Sequence, residues 1–312
     1  MSFLVELARG AYPDNALKDF APTRQFSLAN ARAMMWLSQL AYETAHESKV
    51  RSILDAWQLT MHKFISNDPA TGFPPESACV VVAGNRDATF VAFAGSDPLK
   101  FEDWITDFDA FKSATDVHTG FQDTVENVWP EIEAAIKTSM ANRPASGQNL
   151  FFTGHSLGGA LAIVAAARAG DTPEFRNLPT TVYTFGSPRT GGLDFFGRYT
   201  LGDSTFRLVD GSDVVATVPL PEPGSYRHVG RAVLCKTGEV FLDTTTPVAG
   251  NKPDIVESSI KAAIDDIRSF AAFRPIRRIG PRPLDLLAAL LPTVVRDHVP
   301  ANYFRALSIR LR

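Results

Sequence analysis

A serine hydroxyl attacks a carbonyl at neutral pH only when an imidazole removes its proton and a carboxylate orients that imidazole. Ser156 stands in Gly154-His155-Ser156-Leu157-Gly158, within the stretch Asn149–Ala166. This stretch runs from a short apolar strand through a sharp turn into a helix of small and apolar residues. Strand, turn and helix in that order are the setting of a nucleophile elbow, where strained geometry projects the serine from the top of a sheet. Glycines flank it because strand and helix pass too close to leave room for side chains. The bare pattern arises by chance in roughly one chain of this length in ten, so its weight comes from its setting and its partners.

In hydrolases with this elbow the acid and then the histidine follow the serine. Only His228 and His298 follow Ser156. His228 lies in Ser225-Tyr226-Arg227-His228-Val229, a strand pattern that would fix the ring to a sheet face as a hydrogen-bonded structural residue. His298 follows Arg296-Asp297 in a loop entering a terminal helix, where the ring can swing over the serine, and is the better placed of the two. Asp210 and Asp213 both sit where a strand gives way to a loop, and either fits the acid. His118 and His155 precede the serine and read as structural or pocket-lining. A tetrahedral intermediate also needs donors for its oxyanion. The backbone N–H of Leu157 supplies one. The loop after Val91-Ala92-Phe93-Ala94-Gly95 supplies the other through Ser96, with Gly95 allowing close approach.

The elements that must position these residues alternate. Ser27 caps a helix carrying Ala33, Met34, Leu37, Leu40 and Ala41 at helical spacing, and a second helix spans residues 49–59. Strands follow at 61–65, 78–83 and 89–94, the last two joined by a hairpin-like turn. Phe121, Val125, Val128, Ile132 and Ile136 mark one face of a helix over 119–140. After the elbow come strands at 181–185 and 206–209, a short helix from about 192, and a hairpin of 226–234 with 240–243. Residues 252–273 read as an amphipathic helix, and an apolar run occupies 284–295. Strands alternating with helices argue for an α/β domain with a largely parallel sheet and antiparallel hairpins at its edges.

Among its 312 residues, 45% are hydrophobic and 21% charged, as in an ordinary globular protein. A net charge of −3 gives no reason to expect nucleic acid as a partner. No apolar run approaches the length needed to span a bilayer. Cys79 and Cys235 are the only cysteines, each in a strand-like run, and read as buried free thiols. The start, Met1 to Asn15, lacks a basic segment followed by an apolar stretch and a small-residue cleavage site, which predicts a cytoplasmic protein unless export is non-standard. No metal cluster, phosphate-cradling loop or dinucleotide fingerprint is present, so the expected chemistry needs no cofactor beyond water as co-substrate.

Taken together these motifs resemble the class 3 (fungal-type) triacylglycerol lipase family. Leu37-Ser38 to Ala41-Tyr42, Phe93-Ala94-Gly95-Ser96 with Asp103-Trp104, Val117 to Phe121, the elbow, Thr184 to Arg189, Asp213-Val214-Val215 with Pro219-Leu220-Pro221, and Asp297-His298 with Tyr303-Phe304 occur in the family's order. The resemblance implies a single α/β-hydrolase domain over residues 1–312 and ester hydrolysis through an acyl-enzyme. It favours Asp213 over Asp210 as the acid beside Ser156 and His298, with Ser96 and Leu157 as the oxyanion hole. It further implies a short lid helix over 98–105 that moves at a lipid surface. Pro98, Leu99, Phe101 and Trp104 would contact substrate there, as would His155. Ala94 stands where the family often has arginine. The long segment before His298 is read as a helical insertion, a cap or side wall over 252–295. Lipophilic esters are the implied substrates, above all acylglycerols. Short-chain or feruloyl-type esters, phospholipid cleavage of the A1 type, and a non-catalytic binding module are the alternatives.

Overall fold

The computed structural model describes residues 6–66, 78–95, 116–141, 143–211, 213, 215–218, 226–235, 242–243 and 297–309. Its centre is one sheet of eight strands in sequential order: β1 (Thr60–Ile65), β2 (Val80–Gly84), β3 (Ala88–Phe93), β4 (Asn149–His155), β5 (Thr180–Phe185), β6 (Thr205–Asp210), β7 (Arg231–Cys235) and β8 (Leu242–Asp243). β3 to β7 pair in parallel, and antiparallel pairs close both edges. Parallel neighbours require crossovers, and the helices that make them cover the sheet. Among the described residues these helices are α1 (Leu28–Leu40), α2 (Glu47–Ala56), α3 (Thr119–Met140), α4 (Leu157–Asp171), α5 (Leu193–Arg198) and α6 (Pro300–Ala306).

Two apolar layers result. On one face α1, α2 and α6 pack against Phe90, Phe151, Tyr183, Phe185, Phe206 and Leu208. On the other α3 and α4 pack against Val91, Phe93, Leu150, Phe152 and Val182. Period-two alternation along β4 sends Phe151 to the first layer and Phe152 to the second. Each such buried phenyl contributes about 1.5–3 kcal/mol relative to exposure. The helix over 119–140 has the bounds its apolar spacing predicts, and its Phe121, Val125, Val128, Ile132 and Ile136 are all buried. α1 begins as expected, with the Ser27 hydroxyl accepting the Asn30 N–H at 3.3 Å.

The chain before α1 lies across the first layer and is pinned by a buried carboxylate. Glu43 accepts the Leu7 N–H at 2.9 Å and the Tyr12 hydroxyl at 2.6 Å, and pairs with Lys49. The expected strand over 226–234 is shorter than its residue pattern suggests. Gly230 turns with φ +75°, and a Cβ there would stand 2.6 Å from Thr205, so pairing starts only at Arg231. His228 therefore sits on the approach to β7 and not in the sheet. Both cysteines are buried free thiols. Among the described residues no helix is long and apolar enough to cross a membrane. The candidate lid over 98–105 and the insertion over 252–295 lie outside the described residues.

Candidate active site

Ser156 closes β4 and opens α4 with φ 58° and ψ −132°, a region that non-glycine residues occupy only when their surroundings enforce it. Its N–H donates to the Phe185 carbonyl at 2.8 Å, and its carbonyl accepts from Gly159 at 2.9 Å. A side chain at Gly154 would enter the Gly158 backbone, and one at Gly158 would strike the backbone of Phe93 and Ala94. These contacts supply the physical need for small residues on either side of the elbow.

The structure brings Ser156, His298 and Asp213 together across 142 and 85 residues of chain. His298 Nε2 lies 2.9 Å from Ser156 Oγ. Its Nδ1 lies 2.9 Å from Asp213 Oδ2 and 3.0 Å from Oδ1. A carboxylate only accepts, so Nδ1 carries the proton and Nε2 is left to accept from the serine. Asp213 is held in turn, its Oδ1 accepting the Val215 N–H at 2.9 Å and its Oδ2 the Tyr303 hydroxyl at 2.6 Å. Burial, with the Asp213 charge second, holds the Tyr303 phenol well above its usual range, so it remains a donor. The phenol also accepts the Asp210 N–H at 3.2 Å, tying α6 to the end of β6.

Of the two aspartates left open by their spacing, only Asp213 faces the imidazole. Asp210 is buried behind it; desolvation and then the charges of Asp297 and Asp213 push its carboxyl up to about 7. His228 is turned away from the serine and donates Nε2–H to the Ala216 carbonyl at 2.7 Å. Burial, and then Arg207 and Arg189, hold its ring neutral. His118 is buried at the start of α3, packed on Phe121 and Tyr226, with its pKa lowered to about 4 by burial.

His155 is placed differently from the expected substrate contact, and that expectation is corrected. Its side chain points beneath His298, where its Nε2 donates to the His298 carbonyl at 2.7 Å. Nδ1 must then accept, and the Tyr42 hydroxyl donates to it at 2.8 Å. Both nitrogens are consumed and the residue is 1% exposed, which leaves no polar atom for a ligand. Burial first, then the neighbouring His298, keeps this imidazole neutral. Tyr42→Phe would strand His155 Nδ1 in the interior. Such a loss should lower stability by about 1–3 kcal/mol, read as a fall in the denaturant midpoint with the slope unchanged.

Gly186 is a position whose importance motif reading passes over. Its φ is +59°, and a Cβ there would stand 2.5 Å from Asp213 Oδ2, 2.9 Å from His298 Nδ1 and 3.0 Å from the Tyr303 hydroxyl. Only the turn Gly186-Ser187-Pro188 after β5 signals it in the sequence. Leu157 opens α4 directly after the serine, as an oxyanion donor requires. Gly95 passes over the elbow, with space for a Cβ closed by the His155 carbonyl at 2.6 Å and Ser156 Cβ at 3.0 Å. Ser96, Pro98, Leu99, Phe101 and Trp104 lie outside the described residues.

Residues 90–222 match the family model for class 3 lipases, a span that holds Ser156 and Asp213. Over that span the chain is similar to class 3 lipases. A secreted mono- and diacylglycerol lipase of Fusarium solani is 35% identical over 176 residues, covering 54% of this chain and 50% of that protein. The lipase of Rhizomucor miehei is 29% identical over 165 residues, covering 50% and 44%. Among solved structures, lipase II from Rhizopus niveus aligns with a TM-score of 0.53 at 19% identity, covering 67% of this chain and 82% of that one. That likeness shows the α/β-hydrolase fold. The chain spans about half the length of the curated relatives it matches. The expectation of a cytoplasmic protein is overturned, because the Fusarium relative is a secreted mono- and diacylglycerol lipase, which points to an extracellular rather than a cytoplasmic setting.

Proposed function

We propose that this protein is a class 3 lipase, a serine carboxylic-ester hydrolase that cleaves acylglycerols and related lipophilic esters through an acyl-enzyme. The observation that carries the proposal is the unbroken hydrogen-bonded line from Ser156 Oγ through His298 to Asp213. His298 Nε2 takes the serine proton as Oγ attacks the ester carbonyl, and Asp213 stabilises the imidazolium that forms. The Leu157 N–H, with Ser96 as its proposed second donor, receives the charge that develops on the carbonyl oxygen. His298 then protonates the departing alkoxide, and the same relay activates water against the acyl-serine.

Substrate class follows from the relatives' names and is tested by hydrolysis of esters with acyl chains of two to eighteen carbons, with and without an emulsion. Preference for long chains with activation at the interface supports a lipase. Preference for short soluble esters would reassign it as an esterase, and release of the sn-1 acyl chain from phosphatidylcholine as a phospholipase A1. Pro98, Leu99, Phe101 and Trp104 are proposed as the lid contacts that such an interface would engage, within one domain spanning the chain.

The close packing at Gly186 carries its own expectation. Gly186→Ala should lower kcat by about a hundredfold, because a methyl group there pushes Asp213 and His298 out of line, and misplacement near 1 Å is enough for such a loss. Steady-state kinetics on a short soluble ester, alongside a thermal melt, separate that misalignment from unfolding.

A further inference from the structure

Strand pleat decides where the side chain before the nucleophile must go. Along β4 every second residue faces the layer of α1, α2 and α6, so Phe151, Thr153 and His155 share that side. Thr153 meets Ser38 of α1 there, the two hydroxyls 2.8 Å apart. His155 meets Tyr42, two residues past the end of α1, and His298 at the entry to α6. Its imidazole lies 4.7 Å from that of His298, inclined at 30°, and 5.6 Å from the Tyr303 ring.

Asp213 holds His298 by Nδ1, and Ser156 meets it at Nε2. Bonds at the ring fix its tip and not the main chain that carries it. His155 acts on that main chain, donating Nε2–H to the His298 carbonyl at 2.7 Å. The bond depends on a tautomer, because a neutral imidazole has a single N–H. The Tyr42 hydroxyl donates to Nδ1 at 2.8 Å and so leaves the proton on Nε2, facing the carbonyl. Burial first, then His298, keeps the ring neutral, so no second cation forms beneath the imidazolium of the transition state. A Cβ at Gly95 would collide with the same Tyr42 hydroxyl. One phenol thus touches both the ring under the base and the start of the loop assigned to the oxyanion.

We infer that His155 is a positioning residue for catalysis: its Nε2–H, in the tautomer set by Tyr42, anchors the main chain of His298 so that the base meets Ser156 in line. This role rests on the serine-hydrolase reading of the triad, and it gives a function to a side chain whose burial excludes substrate.

The two amide side chains each keep one half of an imidazole, and they supply the test. Glutamine places an amide nitrogen near the Nε2 position and keeps the bond to His298. Asparagine reaches only the Nδ1 position and keeps the bond to Tyr42. The readout is the second-order rate at which a fluorophosphonate ester labels Ser156, which reports triad alignment whatever the natural ester. His155→Asn should lower that rate by about a hundredfold, the loss expected of a base displaced by about 1 Å. His155→Gln should restore most of it. Each amide forfeits one buried bond, so the two variants should melt at similar temperatures and part only in labelling. Tyr42→Phe should lower the rate by about tenfold, because Nδ1 loses its donor and the proton is no longer fixed on Nε2. In the His155→Gln background the same change should cost nothing further, since an amide has no tautomer to set. If His155→Asn does not fold, that pair of Tyr42→Phe measurements carries the comparison. Equal rates in the Asn and Gln variants would overturn the tether, as would an additive loss on combining Tyr42→Phe with His155→Gln. A parent left as unlabelled as Ser156→Ala would overturn the serine-hydrolase reading itself, and the tether with it.

Discussion

Ser156→Ala should lower ester turnover by on the order of 10⁴ to 10⁶ while leaving the fold intact. The size of the loss follows from what remains. Without Oγ no acyl-enzyme forms, and the Leu157 N–H and the binding surface can assist only a direct attack by water. The small effect on stability follows from the elbow, whose backbone is held by the Phe185 carbonyl and the Gly159 N–H rather than by the serine side chain. Alanine keeps the Cβ but not the strain tolerance of glycine, so the melting midpoint should move little. The decisive measurement is single-turnover kinetics on a chromogenic ester, where the burst of alcohol must vanish. A variant that keeps more than a tenth of the activity would remove Ser156 from the chemistry.

The second large effect separates two aspartates three positions apart. Asp213→Asn should lower kcat by about 10⁴, because an amide facing His298 Nδ1 favours the tautomer whose Nε2 carries the proton and cannot accept from Ser156. The same substitution also weakens the bond from Tyr303, and structural support is lost together with charge. Asp210→Asn should leave kcat within a few-fold of the parent. Its effect belongs to stability and to pH. Its carboxyl has a folded-state pKa near 7, raised from an unfolded value near 4, so the native state binds the extra proton between these limits. Stability is then lost as pH rises through that window, and the penalty is complete above about 7. Asp210→Asn removes the penalty and should raise the melting midpoint more at pH 8 than at pH 4. Equal gains at both pH values would show that the buried carboxyl is not the titrating group.

How much of this could be read before any coordinates depends on whether the signal is local. The elbow at Ser156 is local, since strand, turn, glycines and helix all fall within eighteen residues, and the 119–140 helix is legible for the same reason. The loop setting favours His298 over His228, and the structure turns only His298 towards the serine. Asp213 could not be separated from Asp210 by position alone, because both lie at the end of β6 and only three-dimensional packing decides which carboxylate meets the imidazole. Sequence position leaves His155 open between a structural and a pocket-lining role, because a histidine next to a nucleophile also invites a substrate contact. Its true partners, Tyr42 and the His298 carbonyl, lie 113 and 143 residues away. Gly186 and Tyr303 fall within the recurring motifs, but their roles are not legible there: each matters through atoms brought near it by other elements. The residue pattern alone makes the strand before Arg231 too long, because Gly230 turns with φ +75° in space that Thr205 closes to any side chain, a fact of the neighbouring strand.

The bond between Tyr303 and Asp213 also orders events in time. Strands β3 to β6 can pair as they emerge, since each crossover spans a modest length of chain. The imidazole reaches its serine only after α6 docks, which closes a loop of 142 residues. Contacts of such separation form late, because their entropy cost precedes their reward. Through synthesis and early folding the elbow is therefore assembled but inert. The nucleophile is thus armed not by the elbow itself but by the docking of α6, far along the chain from it.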